Sequence, residues 1–253
     1  MTRLILSAAN RDILGQLAWS NLLCAFDFDG TLAPIVPHPD DAAMRPRTRR
    51  LLDEVAGLYP TIVISGRARA DVARRVAGIR LAAVLGNHGA EPSPYTLRFA
   101  RAVRRWRTLV SEQLDGIAGV VVEDKTLSLA VHYRHARRRL EARGKIMAVA
   151  RELPGVRIVG GKLVINLIPA RAPHKGLALA AERARLRCDT ALYVGDDDTD
   201  EDVFSRDEPG CLLGVRVGVA RQTEAPYALR SQAEVDLLLA RLVQLRRRQR
   251  VRQ

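Results

Sequence analysis

Leu22-Leu23-Cys24-Ala25-Phe26-Asp27-Phe28-Asp29-Gly30-Thr31 is the stretch that decides the fold. Its first five residues form an unbroken apolar run of strand length, which suits a parallel strand buried on both faces. A polar, glycine-bearing turn follows at once, and open α/β sheets place ligands in such turns at the carboxyl ends of their strands. The same unit recurs on both sides. Residues 7–20 read as a helix with apolar positions Ile13, Leu14, Leu17 and Ala18, and residues 46–57 as another. Thr61-Ile62-Val63-Ile64 is a second buried strand, closed by Ser65-Gly66-Arg67. Residues 68–77 are helical, and Leu81–Leu85 is a third strand, closed by Gly86-Asn87-His88-Gly89. Strands alternating with helices predict a doubly wound parallel sheet with right-handed crossovers.

The rhythm changes after Pro92 and Pro94. A long helix over 96–115 leads to strands at Val120–Val122 and Leu127–Val131, with Asp124 and Lys125 near the turn. A helix at 136–152 then leads to strands at Val156–Val159 and Leu163–Leu167, turning at Gly160-Gly161. This helix–hairpin repeat predicts an inserted α+β segment, residues 95–170. The α/β pattern resumes with a helix at 174–187 and the strand Ala191-Leu192-Tyr193-Val194, then a strand near 211–218 and a helix at 232–246. The expected architecture is a discontinuous Rossmann-like core, residues 1–94 and 171–253, carrying that insert.

The chain has 253 residues, 47% of them hydrophobic and 27% charged. This composition excludes disorder and is long enough to bury a core without disulfide or metal staples. Cys24, Cys188 and Cys211 are too few and too scattered for a disulfide framework or zinc knuckle. Cys24 and Cys211 sit in apolar runs and are expected to be buried thiols in a reducing cytoplasm. No apolar stretch approaches the ~20 residues that span a bilayer. Leu4-Ile5-Leu6 is too short for the apolar part of a signal peptide. The formal net charge is +13, and all the basic residues but Lys125, Lys145, Lys162 and Lys175 are arginine. Such a balance can serve nucleic acid or acidic lipid. The arginines are dispersed and aromatics are only 4%, so no base-stacking platform is in view, and a solvated arginine-rich surface is the expectation.

The polar turns carry the chemistry. Asp27 and Asp29 alone could be a turn or a helix cap. Asp196, Asp197, Asp198, Asp200, Glu201 and Asp202 crowd one short stretch after the strand at Ala191–Val194. Taken alone, that run equally suits a helix N-terminus. Brought beside Asp27 and Asp29 on one sheet edge, it becomes an oxygen donor set for a hard divalent cation. Ser65 offers a hydroxyl, Gly66 a backbone amide and Lys175 a cation, which is what a phosphoryl group needs.

Asp27-Phe28-Asp29-Gly30-Thr31, Ser65-Gly66-Arg67, Lys175-Gly176 and Gly195-Asp196-Asp197-Asp198-Thr199-Asp200-Glu201-Asp202 resemble, in order, the four signatures of the haloacid dehalogenase-like phosphatases. Gly86–Glu91, Glu123–Ser128 with His132-Tyr133-Arg134, and Ala225–Leu229 add a likeness to the trehalose-6-phosphate phosphatase family. The resemblance implies a Mg²⁺-dependent phosphoric monoester hydrolase that works through an aspartyl-phosphate. Asp27 would be the nucleophile and Asp29 the general acid and base. Mg²⁺ would be held by Asp27, the Asp29 carbonyl and Asp196, with Asp197 and Asp200 behind them. Ser65 and Lys175 would bind phosphoryl oxygens. Gly66, Arg67, Asn87, His88, Lys125, Ser128, His132, Arg134 and Asn166 are the expected substrate contacts, the last five from a cap. Caps of the family usually carry glutamate where Gly161–Pro169 has Asn166. That departure leaves sucrose phosphate and glycosyl-glycerol phosphate open beside trehalose 6-phosphate. A phosphomutase and an arginine-rich nucleic-acid-binding protein are the remaining alternatives.

Overall fold

The computed structural model describes residues 2–92, 96–161, 163–206, 210–219 and 222–250. The boundary at 94/95, Lys162 and positions 251 and 252 of the C-terminal basic run lie outside them. Two sheets organise the chain. The larger has seven parallel strands in the order β1-β11-β10-β9-β2-β3-β4. These are β1 (Arg3–Leu4), β2 (Leu22–Phe26), β3 (Thr61–Ile64), β4 (Ala83–Leu85), β9 (Thr190–Gly195), β10 (Leu212–Val217) and β11 (Tyr227–Leu229). β2 and β3 are wholly buried and coincide residue for residue with the two apolar runs.

From β2 the chain builds outward to β3 and β4 on one side. On the other side lie β9, β10 and β11. Helices α1 (Arg11–Trp19), α2 (Pro46–Ala56), α3 (Arg69–Arg75), α6 (Lys175–Arg185), α7 (Glu201–Phe204) and α8 (Glu234–Arg250) accompany it. Phe26, Val63, Val194, Val215, Leu238 and Leu242 belong to one apolar cluster on this sheet. Ala25, Ile64, Tyr193 and Leu179 belong to the cluster on the opposite face.

The smaller sheet is antiparallel, in the order β5-β6-β8-β7. Its strands are β5 (Val121–Asp124), β6 (Leu129–His132), β7 (Val156–Gly161) and β8 (Val164–Pro169). The two expected hairpins therefore merge into one sheet, with β6 and β8 paired at its centre. Alternation decides its two faces. Val131, Leu129, Ile165 and Leu167 pack under α4 (Thr96–Leu114) and α5 (Arg139–Glu152), around the buried Trp106. The intervening residues point the other way. Two rungs of that face run Val121–His132–Val164–Gly161 and Glu123–Ala130–Asn166–Val159.

Three expectations need correction. Residues 7–20 are not one helix: a 3-10 turn at Ala8–Asn10 precedes α1. β1 and β11 escaped the reading because two or three residues are too few to show a period. Cys24 is buried, but Cys188 rather than Cys211 is its buried companion, since Cys211 precedes β10 and stays half-buried. Among the described residues no helix is long and apolar enough to cross a membrane.

Candidate active site

The register of the large sheet brings the polar turns together. Phe26 is level with Val194 on β9 and Val63 on β3, so Asp27, Ser65 and Asp196 leave the sheet at one edge. The Asp27 N–H closes the ladder on the Val194 carbonyl at 2.9 Å. Gly30 follows with φ +76, a conformation glycine adopts without strain. A Cβ there would also strike the Asp196 carboxylate.

Asp27 is buried. Its Oδ1 accepts the Phe28 N–H at 2.6 Å, and its Oδ2 lies 2.9 Å from the Lys175 ammonium. Lys175 is itself buried and donates to Asp200 Oδ1 at 2.7 Å. Asp200 is heavily engaged: Oδ1 also accepts the Tyr193 hydroxyl at 2.6 Å, and Oδ2 the Asp197 N–H at 2.9 Å. Asp197 reciprocates, its carboxylate accepting the Asp200 N–H in a capping box over the turn. Burial works against the Lys175 charge, but Asp200 and Asp27 more than offset it and raise its pKa. Burial is the main cause lifting Asp27 to about 7, with Lys175 opposing and Asp200 adding to it. Burial also lifts Asp196 to about 8, helped by Asp27, Asp200 and Asp197.

One carboxylate oxygen from each of Asp27, Asp196 and Asp200 lies within 4.8 Å of the others. Oxygen-only donors crowded under mutual repulsion fit a hard divalent cation. Asp200 carries three bonds, from Lys175, Tyr193 and Asp197, while Asp27 carries one on each oxygen, so Asp27 and Asp196 keep the more open lone pairs for direct ligation. Among the described residues, the Asp196 carboxylate accepts a 3.3 Å bond from the Thr31 hydroxyl.

Asp29 is gripped by Arg67. The guanidinium donates from Nε to Oδ2 and from Nη2 to Oδ1, both at 2.7 Å, a bidentate fork. Arg67 also holds Asp71 at 2.8 Å and the Pro39 carbonyl at 2.7 Å. Few of its donors remain for a substrate, so its evident task is to aim Asp29. Ser65 is buried, with its Oγ accepting the Arg67 N–H at 3.2 Å. Gly66 is needed for a close approach: a Cβ would stand 2.5 Å from the His88 ring. His88 is buried, and among the described residues neither ring nitrogen has a hydrogen-bond partner. Burial first, then Lys175, Lys125 and Arg157, push its pKa well down, so the ring is neutral.

A cleft of about 870 Å³ joins the two sheets. From the large sheet Asp27, Asp29, Gly66, Arg67, His88, Lys175, Asp196 and Asp197 line it. From the small sheet come Lys125, His132, Arg134 and Asn166. Asn87 and Ser128 do not line it; they bond to each other at 2.8 Å, both buried. Ser65 and Asp200 likewise lie behind the lining.

Four residues were missed. Glu123 lines the cleft, and its Oε2 accepts a hydrogen bond from His132 Nε2 at 2.8 Å. Tyr193 props Asp200. Arg216 donates to the Asp196 carbonyl at 2.9 Å and to Glu201 at 2.6 Å, tying down the acidic loop. Arg157 on β7 meets Asp202 on α7 at 2.9 Å, an ion pair between the two sheets' territories. Two signals were available: a charge at 216 inside an apolar strand and a hydroxyl-tipped ring at 193 both require partners when buried.

A family model described as trehalose-phosphatase matches residues 25–233. A protein of Oryza sativa subsp. japonica called probable trehalose-phosphate phosphatase 4 is 32% identical over 94% of this chain and 70% of its own length. The trehalose-phosphate phosphatase of Mycobacterium avium is 35% identical over 86% of this chain. This chain spans 61% of that mycobacterial relative, less than two thirds of its length. The C-terminal domain of the C. albicans trehalose-6-phosphate phosphatase superimposes with a TM-score of 0.80 at 23% identity, covering 97% of this chain and 99% of that one. At that identity the likeness speaks for the fold.

Proposed function

The chain belongs to the trehalose-phosphatase family, and on that premise we propose that it hydrolyses trehalose 6-phosphate to trehalose and phosphate. The observation that carries the reading is the buried Asp27 carboxylate, held 2.9 Å from Lys175 at the floor of a cleft whose opposite wall is polar. On this reading residues 1–94 and 171–253 form the catalytic core, and residues 95–170 form a cap over it. Unpaired thiols at all three cysteines are consistent with a reducing cytoplasm.

Asp27 attacks phosphorus through its free carboxylate lone pairs, and the bond to the sugar oxygen breaks. The result is an aspartyl-phosphate, a route open to carboxylates. Asp29, entering the cycle with a proton taken from solvent in place of one Arg67 bond, gives it to the departing sugar oxygen, and the carboxylate so left takes one from the water that opens the intermediate. Arg67 keeps Asp29 turned toward the cleft. Lys175 balances charge on the phosphoryl oxygens as it balances Asp27 now. Gly66 N–H and the neutral His88 ring are the neighbouring donors. Lys125, His132, Arg134, Glu123 and Asn166 face the sugar from the cap. Asn166 brings an amide that both donates and accepts, where a glutamate would only accept.

We assign the cation as Mg²⁺, with Asp27 and Asp196 as its carboxylate ligands. When bound it supplies a charge that offsets the phosphoryl oxygens and the crowded carboxylates. Its removal is expected to stop phosphate release, and Mg²⁺ to restore it. Independently of activity, 5 mM Mg²⁺ should raise the melting temperature of the metal-free protein, because binding to the folded state alone stabilises it. Asp196→Ala should abolish that rise. A melting curve indifferent to Mg²⁺ would refute the assignment.

The substrate is tested by phosphate release from trehalose 6-phosphate beside sucrose 6-phosphate and glucose 6-phosphate. Trehalose 6-phosphate should have the highest kcat/KM. A higher value for sucrose 6-phosphate would move the enzyme to a neighbouring specificity, as Asn166 allows.

A further inference from the structure

Asn87 occupies the turn after β4 with a left-handed backbone, φ 47, and is completely buried. A buried amide must find partners for both ends. Both partners of Asn87 lie on the small sheet. Its Nδ2 donates to the Lys125 carbonyl at 3.1 Å, and its Oδ1 accepts the Ser128 hydroxyl at 2.8 Å. Those two residues close the turn between β5 and β6, where the Lys125 N–H meets the Ser128 carbonyl at 3.0 Å. The backbone of Asn87 is anchored on the other side, donating to the Arg67 carbonyl at 2.7 Å. One amide thus couples the turn that aims Asp29 to the turn that presents Lys125.

Lys125 is the cation that this turn delivers. Its side chain lines the cleft at 15% exposure, and its ammonium sits 3.9 Å from Glu123. No long stem could hold that ammonium at one depth if its own backbone were free to shift. We propose that Asn87 is a specificity-positioning residue. It touches no sugar, but through the Lys125 carbonyl and Ser128 it sets where the cap's polar wall stands over Asp27. This rests on the reading above, that a sugar phosphate is bound between the two sheets.

The test is steady-state kinetics on trehalose 6-phosphate and on para-nitrophenyl phosphate, an aryl phosphate too small to span the cleft. Asn87→Ala removes both bonds. Ser128→Ala removes one with minimal disturbance, and decides the matter if Asn87→Ala folds poorly. For the sugar phosphate, Asn87→Ala should raise KM and lower kcat/KM about tenfold or more. The loss for the aryl phosphate should be several-fold smaller. Ser128→Ala should follow with a smaller loss of the same kind. In the double variant Asn87→Ala/Lys125→Ala, kcat/KM should match Lys125→Ala alone within about twofold, because a residue acting through another adds nothing once that other is gone. Equal losses on both phosphates, or losses that multiply in the double variant, would overturn the inference. A wild-type enzyme with no preference for the sugar phosphate would instead overturn the reading beneath it.

Discussion

Asp27→Asn should abolish turnover and leave the fold intact. The amide has the shape of the carboxylate and its oxygen can still accept the Phe28 N–H or the Lys175 ammonium, which sit 2.6 and 2.9 Å from the present oxygens. What it lacks is the nucleophilic oxygen pair. The expected fall in kcat is at least a thousandfold, or about 4 kcal/mol of barrier. Stability should hardly change. The substitution removes one of three carboxylates whose oxygens crowd within 4.8 Å, while Lys175 keeps Asp200 at 2.7 Å. A melting temperature within about 4 °C of wild type is expected, the equivalent of roughly 1 kcal/mol in a chain of this size. Phosphate release and a thermal melt on the same preparation check both halves. Retention of a tenth of the wild-type rate would end the case for a covalent aspartyl intermediate.

Lys175→Met should damage both activity and stability. Methionine fills much the same volume but leaves Asp27 and Asp200 buried without their shared cation. Removing one member of a buried ionic group costs about 3–5 kcal/mol, since the partners' charge stays desolvated. That corresponds to a drop of roughly 10 °C in melting temperature. Turnover should fall by about a hundredfold or more, because Asp27 and the incoming phosphoryl group lose their neutralising neighbour. Adding Asp200→Asn separates the effects. The amide can still meet Tyr193 and the Asp197 N–H, and one stranded charge is gone. The double variant should regain much of the lost stability and none of the lost turnover. If Lys175→Met melted like wild type, the buried ionic triad would not be stabilising the site as described.

The sheet edge at the cleft was legible because its grammar is local. Leu22–Phe26 and Thr61–Ile64 are apolar runs cut off by polar turns, and a parallel sheet must put such turns on one edge. Asp27 and Asp196 follow from that once the strands are placed, whereas Lys175, at the start of α6, stood out only by its place just before the β9 unit. Partnerships across the sheets were not legible. Asn87 and Ser128 were both expected to meet substrate, yet they meet each other, forty-one positions apart in sequence. Arg67 was expected at the substrate and is occupied with Asp29, Asp71 and Pro39. Glu123 lies in the Glu123–Ser128 stretch, but only its register opposite Ala130, one rung from His132 on the same face, turns it toward the cleft. Which atom a polar side chain reaches depends on three-dimensional closure, and periodicity carries no record of it.

The Arg157–Asp202 pair adds a dependence on the medium. Its side chains are 23% and 27% exposed, so water and dissolved ions reach the bond that ties β7 to α7. Mobile ions screen such charges over about 10 Å at 0.1 M and about 3 Å at 1 M. The Asp27 and Asp200 side chains are far better shielded, at 7% and 0% exposure. Concentrated electrolyte therefore weakens the tie between the halves before it reaches Asp27. On the proposed function, ionic strength is then a dial on how long the two halves stay together around the substrate.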